Sequence, residues 1–246
     1  MTGLRGQRVV ISGGSSGIGF ETARMLAAEG AEVCLAARDP DRLQNAIDQI
    51  GGAAWGRSCD VADPAAIADL AGELSERWSA LDGLVNCAGV APMGSAADTT
   101  TEVWDETFAV NVRGPFLLCR ELGPMLHWGH GPSVVNVSSN LAERAIPGMA
   151  AYNASKAALN QFTRSLALEW APTVRVNAVM PAVVDTPIHA LRGLSPEQVR
   201  AMDGIHPLGR IGQPEDVASL IVFLLSDASS WMTGTVIPVD GGVMAG

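Results

Sequence analysis

Short, almost uninterrupted apolar runs alternate along the chain with segments whose apolar residues recur at helical spacing. The runs lie at Arg8–Ser12, Glu32–Ala37, Ala53–Asp60, Leu84–Cys87, Ser133–Ser138, Arg175–Met180 and Thr235–Val239. Val9-Val10-Ile11 and Val134-Val135-Asn136-Val137 lack polar alternation, the pattern of parallel strands buried on both faces. The helical segments are Gly17–Glu29, Asp41–Ile50, Pro64–Ser79, Thr101–Leu126, Ala150–Trp170 and Pro214–Ser226. Asp63-Pro64 and Gln213-Pro214-Glu215 read as helix starts, with Pro near the first position. Seven strands alternating with six helices predict an α/β fold, a doubly wound, seven-stranded parallel sheet with helices on both faces. One segment breaks the rhythm. Pro181–Gly212 carries Pro181, Pro187, Pro196, Pro207, Gly193, Gly204, Gly209 and Gly212, and residues 182–212 read as a long binding loop. No linker or internal repeat interrupts the 246 residues, so 1–246 are expected to form one domain.

Composition narrows the function. The net charge is −10, and no cluster of Arg or Lys offers itself to phosphate backbones, which argues against nucleic acid. No run of about 18 apolar residues predicts a membrane span. The N-terminus lacks the apolar core of a signal peptide, so a cytoplasmic protein is expected. Cys34, Cys59, Cys87 and Cys119 form no CxxC pair or metal-ligand spacing and read as buried thiols in a reducing compartment. His127 and His130 have a metal-like spacing without a carboxylate or Cys beside them, so a loop or helix-cap role is the better reading and no metal is expected.

The first strand runs into Ser12-Gly13-Gly14-Ser15-Ser16-Gly17-Ile18-Gly19, and a helix follows at once. Glycines let backbone approach a pyrophosphate, and the helix N-terminus offers it free N–H groups. At the end of the second strand Ala37 takes the place where an acidic residue would bind the ribose 2′-OH of NAD, and Arg38 follows it. A guanidinium there suits a 2′-phosphate, so NADP is favoured, with NAD the alternative because Asp39 lies close by. The chain has a single Tyr, Tyr152, and a single Lys, Lys156. Four residues apart, they share one helix face. A phenol of pKa near 10 serves acid–base catalysis at neutral pH when a nearby ammonium lowers it. Ser139 closes the fifth strand, at the sheet edge where such folds hold ligands, and its hydroxyl could bond a substrate carbonyl oxygen.

As a set these residues resemble the short-chain dehydrogenase/reductase family, over nearly the whole chain from Gly6 to Gly242. The resemblance implies a Rossmann-type domain whose Gly13, Ser15, Ser16, Gly17, Ile18 and Gly19 hold the phosphates of a dinucleotide. Ser12 stands where the family has Thr. Asp60-Val61 would lie by the adenine. Asn86-Cys87-Ala88-Gly89 matches the family's Asn-Asn-Ala-Gly, with Asn86 bracing the sheet and Ala88-Gly89 letting the cofactor pass. Pro181 precedes backbone contacts from Val184 to the nicotinamide carboxamide, with Thr186 touching the amide or the phosphates, although Ala182 occupies a usual Gly position and would be strained if φ were positive there. Tyr152 becomes the general acid/base, Lys156 lowers its pKa and holds the ribose, Ser139 orients the carbonyl, and Asn111 holds a water that relays protons to Lys156. Homotetramers are common in the family, and the apolar segment Thr233–Gly246 fits a buried contact.

The function so implied is hydride transfer between a nicotinamide cofactor and a small carbonyl or secondary alcohol. A non-catalytic dinucleotide-binding regulator would share the glycine loop but has no need of Ser139, Tyr152 and Lys156 together. Chemistry on a nucleotide-bound sugar would call for a larger C-terminal region than follows Pro181. Val183, Ile188, Leu191, Leu194, Met202 and Ile205, with Met93, Leu141 and Met149, predict a mostly apolar substrate pocket. Arg192, Arg200 and Arg210 read as scattered, and His189 and His206 as loop residues that could meet substrate.

Overall fold

The computed structural model describes residues 3–245. Seven parallel strands form one sheet: β1 (Arg8–Ser12), β2 (Glu32–Ala37), β3 (Ala54–Ser58), β4 (Gly83–Asn86), β5 (Ser133–Val137), β6 (Arg175–Pro181) and β7 (Val236–Val239). Their order is β3-β2-β1-β4-β5-β6-β7. The chain therefore winds outward from β1 to β3, returns to pair β4 with β1, and winds the other way. That reversal opens a crevice at the carboxyl ends of β1 and β4, where Ser12 lies in register with Asn86.

The strands alternate strictly between two cores. Val10, Cys34, Leu84, Val134 and Val176 point to one face. There they meet Leu70 and Leu74 of α3 (Pro64–Arg77), Leu118 and Leu122 of α5 (Gly114–Leu126) and Leu166 of α6 (Ala150–Trp170). Val9, Ile11, Val33, Leu35, Val85 and Val135 point to the other. They pack on α1 (Gly17–Ala28), α2 (Pro40–Ile50) and α9 (Pro214–Leu225). Both faces are covered, which explains why the strands are apolar throughout.

Two expectations change. The segment Thr101–Leu126 is not one helix. It runs as α4 (Thr101–Phe108), a π turn over Ala109–Arg113 and then α5. Pro115 is the cause, because it has no N–H to give the Asn111 carbonyl four residues before it. The Gly114 N–H reaches back to the Ala109 carbonyl instead, an i→i+5 bond. The Pro181–Gly212 segment is not a bare loop. It holds two short helices, α7 (Ile188–Leu191) and α8 (Pro196–Arg200), and a 3₁₀ turn at Asp203–Ile205. Ser195 and Gln198 close a capping box on α8. No helix among the described residues is long and apolar enough to cross a membrane.

Candidate active site

A cavity of about 490 Å³ opens at the carboxyl edge of the sheet. It is lined by Gly13, Ser16, Gly17 and Ile18, by Ala88 and Gly89, by Ser139, by Tyr152 and Lys156, and by Pro181, Val184 and Thr186. These residues come from five separate stretches of sequence.

The glycine loop is shaped by its packing. Gly13 (φ +68°) has no room for a side chain, since a Cβ would stand 2.8 Å from the Ala88 backbone. Ser12 ties the two strand ends together, its Oγ accepting from the N–H groups of Cys87 (3.2 Å) and Ala88 (3.3 Å). Ser16 precedes α1 but its side chain caps none of the first amides, and the first turn contains no acidic residue. The helix start is left able to take an anion. Ser15 borders a shallower hollow beside it, with Phe20 and Arg42. Thr186 closes over the loop, within 3.2 Å of where a Gly17 Cβ would stand. This set fits a dinucleotide: close backbone, a free helix start and one cavity that the Tyr also lines.

Arg38 is exposed at the carboxyl end of β2. Asp39 does not turn to a ribose. Its carboxylate accepts from the N–H groups of Asp41 and Arg42 at the start of α2 and pairs with Arg42 Nε at 3.1 Å. Asp60 Oδ1 accepts from Ala62 N at 2.9 Å in the turn after β3, beside Val61, which packs in the core. Asn86 spans to β5, its Nδ2 donating to Asn136 Oδ1 at 2.8 Å. No described non-glycine residue has a positive φ, so Ala182 fits its position without strain.

Around Tyr152 the geometry is tight. Ser139 lies two residues beyond β5 and caps the short turn that follows, its Oγ accepting from Leu141 N at 3.1 Å. Ser138, its neighbour, donates to the Lys156 carbonyl. Lys156 is buried, its Nζ 2.8 Å from the Val137 carbonyl and 5.8 Å from the centre of the Tyr152 ring. Burial pushes its pKa down to about 8. The Tyr152 phenol is pushed up by burial, which outweighs the downward pull of the Ser139 hydrogen bond and of the Arg192 charge. The lowering expected from Lys156 is therefore not seen in this structure; desolvation wins. Asn111 is fully held, accepting from Val90 N (3.0 Å) and donating to the Val90 carbonyl (2.9 Å) and Ser155 Oγ (3.0 Å). Asn111 Oδ1 and Lys156 Nζ both flank Gly89, at 3.4 and 3.6 Å from where its Cβ would be.

Such a constellation at the switch point of this sheet can be compared with known proteins. A family model described as Enoyl-(Acyl carrier protein) reductase matches residues 13–244. The chain belongs to the short-chain dehydrogenase/reductase family. It is 36% identical to a cyclopentanol dehydrogenase of Comamonas over 96% of both chains. It is 34% identical to a D-threitol dehydrogenase of Mycolicibacterium smegmatis over 97% of this chain and 93% of that one. The fold superposes on a 3-ketoacyl-(acyl-carrier-protein) reductase of Brucella melitensis, solved with NADH, with a TM-score of 0.90, 32% identity and coverage of 98% and 99%.

Members of this family are oxidoreductases of alcohols and carbonyls that bind a nicotinamide dinucleotide, and this chain shares that activity class. Some residues of the cavity escaped the sequence reading. Arg42 and Arg144 line it, and so does Arg192, which looked scattered beside Arg200 and Arg210. Arg200 and Arg210 are taken by Glu197 and Asp216. Of the nine apolar residues expected around substrate, Leu194, Met93 and Met149 do not line the cavity. His189 does, with Nε2 2.9 Å from the Val184 carbonyl, whereas His206 faces the Met202 carbonyl and stays outside. His127 sits at the end of α5 with Nδ1 against the Gly123 carbonyl. All four cysteines are free thiols; Cys34, Cys59 and Cys119 are buried and Cys87 is half-buried.

Proposed function

We propose that the chain is an NADP(H)-dependent oxidoreductase that interconverts a carbonyl and a secondary alcohol, with Tyr152 as general acid/base. The observation that carries this is a single cavity in which the Gly13–Ile18 loop leads to Ser139, Tyr152 and Lys156. When bound, the dinucleotide supplies or accepts the hydride. The chain does the rest. Gly13, Ser15, Ser16, Gly17, Ile18 and Gly19 hold the phosphates, and Asp60, Val61, Asn86, Ala88 and Gly89 shape the groove. Pro181 and Val184 hold the nicotinamide end, and Thr186, closing over Gly17, touches its amide or the phosphates. Ser139 Oγ donates to the substrate oxygen and fixes it against the phenol. Tyr152 gives its proton to that oxygen in reduction and takes one from the alcohol in oxidation.

A phenol pushed up by burial keeps its proton at neutral pH, which suits donation to a carbonyl. Accepting a proton requires positive charge near the phenol; Lys156, its Nζ 5.8 Å from the ring centre, and Arg192, whose charge draws the phenol's pKa down, would supply it. Asn111 and Lys156, side by side at Gly89, form the route that resupplies the proton through a water. Its anchor is the Asn111 carbonyl, which Pro115 leaves without the usual helical donor.

Two facts favour NADP. Ala37 brings no charge to the ribose site, and the Asp39 carboxylate is already matched by two amides and Arg42. Arg38 is left to meet a 2′-phosphate. We read residues 1–246 as one catalytic domain, cytoplasmic and homotetrameric, acting on small molecules; exposed Trp128, Leu168 and Trp231 provide apolar surface for assembly. Reduced-nicotinamide absorbance followed over ketones, β-keto esters, steroids and sugars, with NADPH and NADH in parallel, tests the proposal. Turnover with NADPH on one class is expected. Cofactor binding without turnover of any class would favour a regulator.

A further inference from the structure

Arg192 is the one arginine of the 182–212 segment that lines the cavity. It is half-buried, and among the described residues no carboxylate pairs with it. Among the described residues its only hydrogen-bond partners are two thioethers, Met93 Sδ at 3.5 Å and Met149 Sδ at 3.3 Å. Thioether sulfur is a weak acceptor, and a guanidinium has five donors to satisfy. The Nε is buried and has no hydrogen-bond partner among the described residues. Nor does the cavity supply an acid elsewhere. Among its lining residues are Arg42, Arg144, Arg192 and Lys156, and no Asp or Glu. The chain as a whole carries −10, so this is local selection of sign against the global balance. Arg42 belongs to the glycine-loop end and is matched by Asp39. Arg192 belongs to the Tyr152 end, near enough for the charge of each to act on the other group.

An unpaired cation set into a cavity costs stability unless a ligand completes it. We infer that the substrate carries an oxyanion, a carboxylate, sulfonate or phosphate, that pairs with Arg192 while its carbonyl or alcohol lies at Tyr152 and Ser139. This rests on the oxidoreductase reading of the same site. It replaces the expectation of a mostly apolar pocket: the apolar residues Leu141, Val183, Ile188, Met202 and Ile205 would line the spacer between the two polar ends. Planar, bidentate pairing with a guanidinium would fix the substrate's register as well as its sign.

The test uses 4-oxopentanoate, 5-oxohexanoate and 6-oxoheptanoate, each beside its methyl ester. Binding to the full-length enzyme saturated with NADP⁺ is measured by calorimetry, and turnover by NADPH oxidation. At least one acid should bind 10-fold or more tighter than its ester. Arg192→Gln should abolish that preference by weakening the acid alone, and Arg192→Lys should restore part of it. Equal binding of acids and esters by the wild-type enzyme, preference unchanged in Arg192→Gln, or no binding of any acid would each overturn the inference. A loss of kcat shared equally by acid and ester in Arg192→Gln, with the binding preference for the acid intact, would assign Arg192 to Tyr152 alone and overturn the inference. Ester turnover without acid preference would leave the oxidoreductase reading standing. Acid preference in binding without turnover of any probe would count against that reading and not against the anion site.

Discussion

Lys156 gives the most quantitative consequence of the site. Its side chain is 5% exposed, and the only acceptor its ammonium finds among the described residues is the Val137 carbonyl. Burial takes its pKa from 10.5 to about 8. At about 1.4 kcal/mol per pH unit, the charged form is disfavoured by about 3 kcal/mol relative to the unfolded chain. At pH 7 the group is still mostly protonated, so the folded protein bears that cost. Lys156→Met keeps most of the apolar stem and removes the charge. It also orphans the Val137 carbonyl, a loss of about 1–2 kcal/mol. The net expectation at pH 7 is a variant more stable by about 1–2 kcal/mol, a rise in Tm of about 3–6 °C for a chain of this size. The sign depends on pH. Between pH 8 and 10.5 the unfolded chain binds the proton that the folded chain has lost, so the wild type gains stability as pH rises through that window. The advantage of Lys156→Met should therefore shrink above pH 8 and reverse by about 10.5, while turnover is lost throughout. Urea unfolding of both proteins at pH 7 and 10.5 reads the difference. A variant less stable at pH 7, or a difference that ignores pH, would refute the reasoning.

Other consequences are simpler to measure. Asn111→Ala removes three buried hydrogen bonds and leaves both polar groups of Val90 unpaired, so urea unfolding should show a loss of about 2–4 kcal/mol. Arg38→Gln should lower kcat/KM for NADPH by roughly 10–100-fold and leave that for NADH nearly unchanged, since a charge-assisted bond is worth about 1.5–3 kcal/mol. Size-exclusion with light scattering should give four times the mass of 25.6 kDa.

The sheet was legible because it is buried on both faces. Runs such as Val134–Val137 admit no other environment, and strand ends moved by only a residue or two, as at β3 and β4. The catalytic set was legible for a different reason. Tyr152 and Lys156 are the only residues of their types, and their offset of four has meaning on a helix. What could not be read were effects of tertiary context. Pro115 deletes a donor to Asn111, but only the folded backbone shows that a π turn absorbs the defect. The sequence places an ammonium beside a phenol; only the folded surroundings show that desolvation is the largest influence on both. Asp39 kept NAD open as the alternative, and only the folded chain shows its carboxylate engaged at the start of α2. Arg192 resembled Arg200 and Arg210 because pairing decides their roles. Glu197 lies three residues before Arg200 and Asp216 six after Arg210, whereas the partners of Arg192 are methionines 99 and 43 residues away.

The claim that matters most is that Tyr152 moves the proton. Tyr152→Phe deletes one oxygen and keeps the ring in place. With a carbonyl substrate turned over by the wild type, single-turnover NADPH oxidation in this variant should slow by about 10²–10⁴-fold, the usual contribution of general acid–base catalysis, while NADPH affinity by fluorescence titration stays within about 2-fold. Near-native oxidation by Tyr152→Phe would contradict the account.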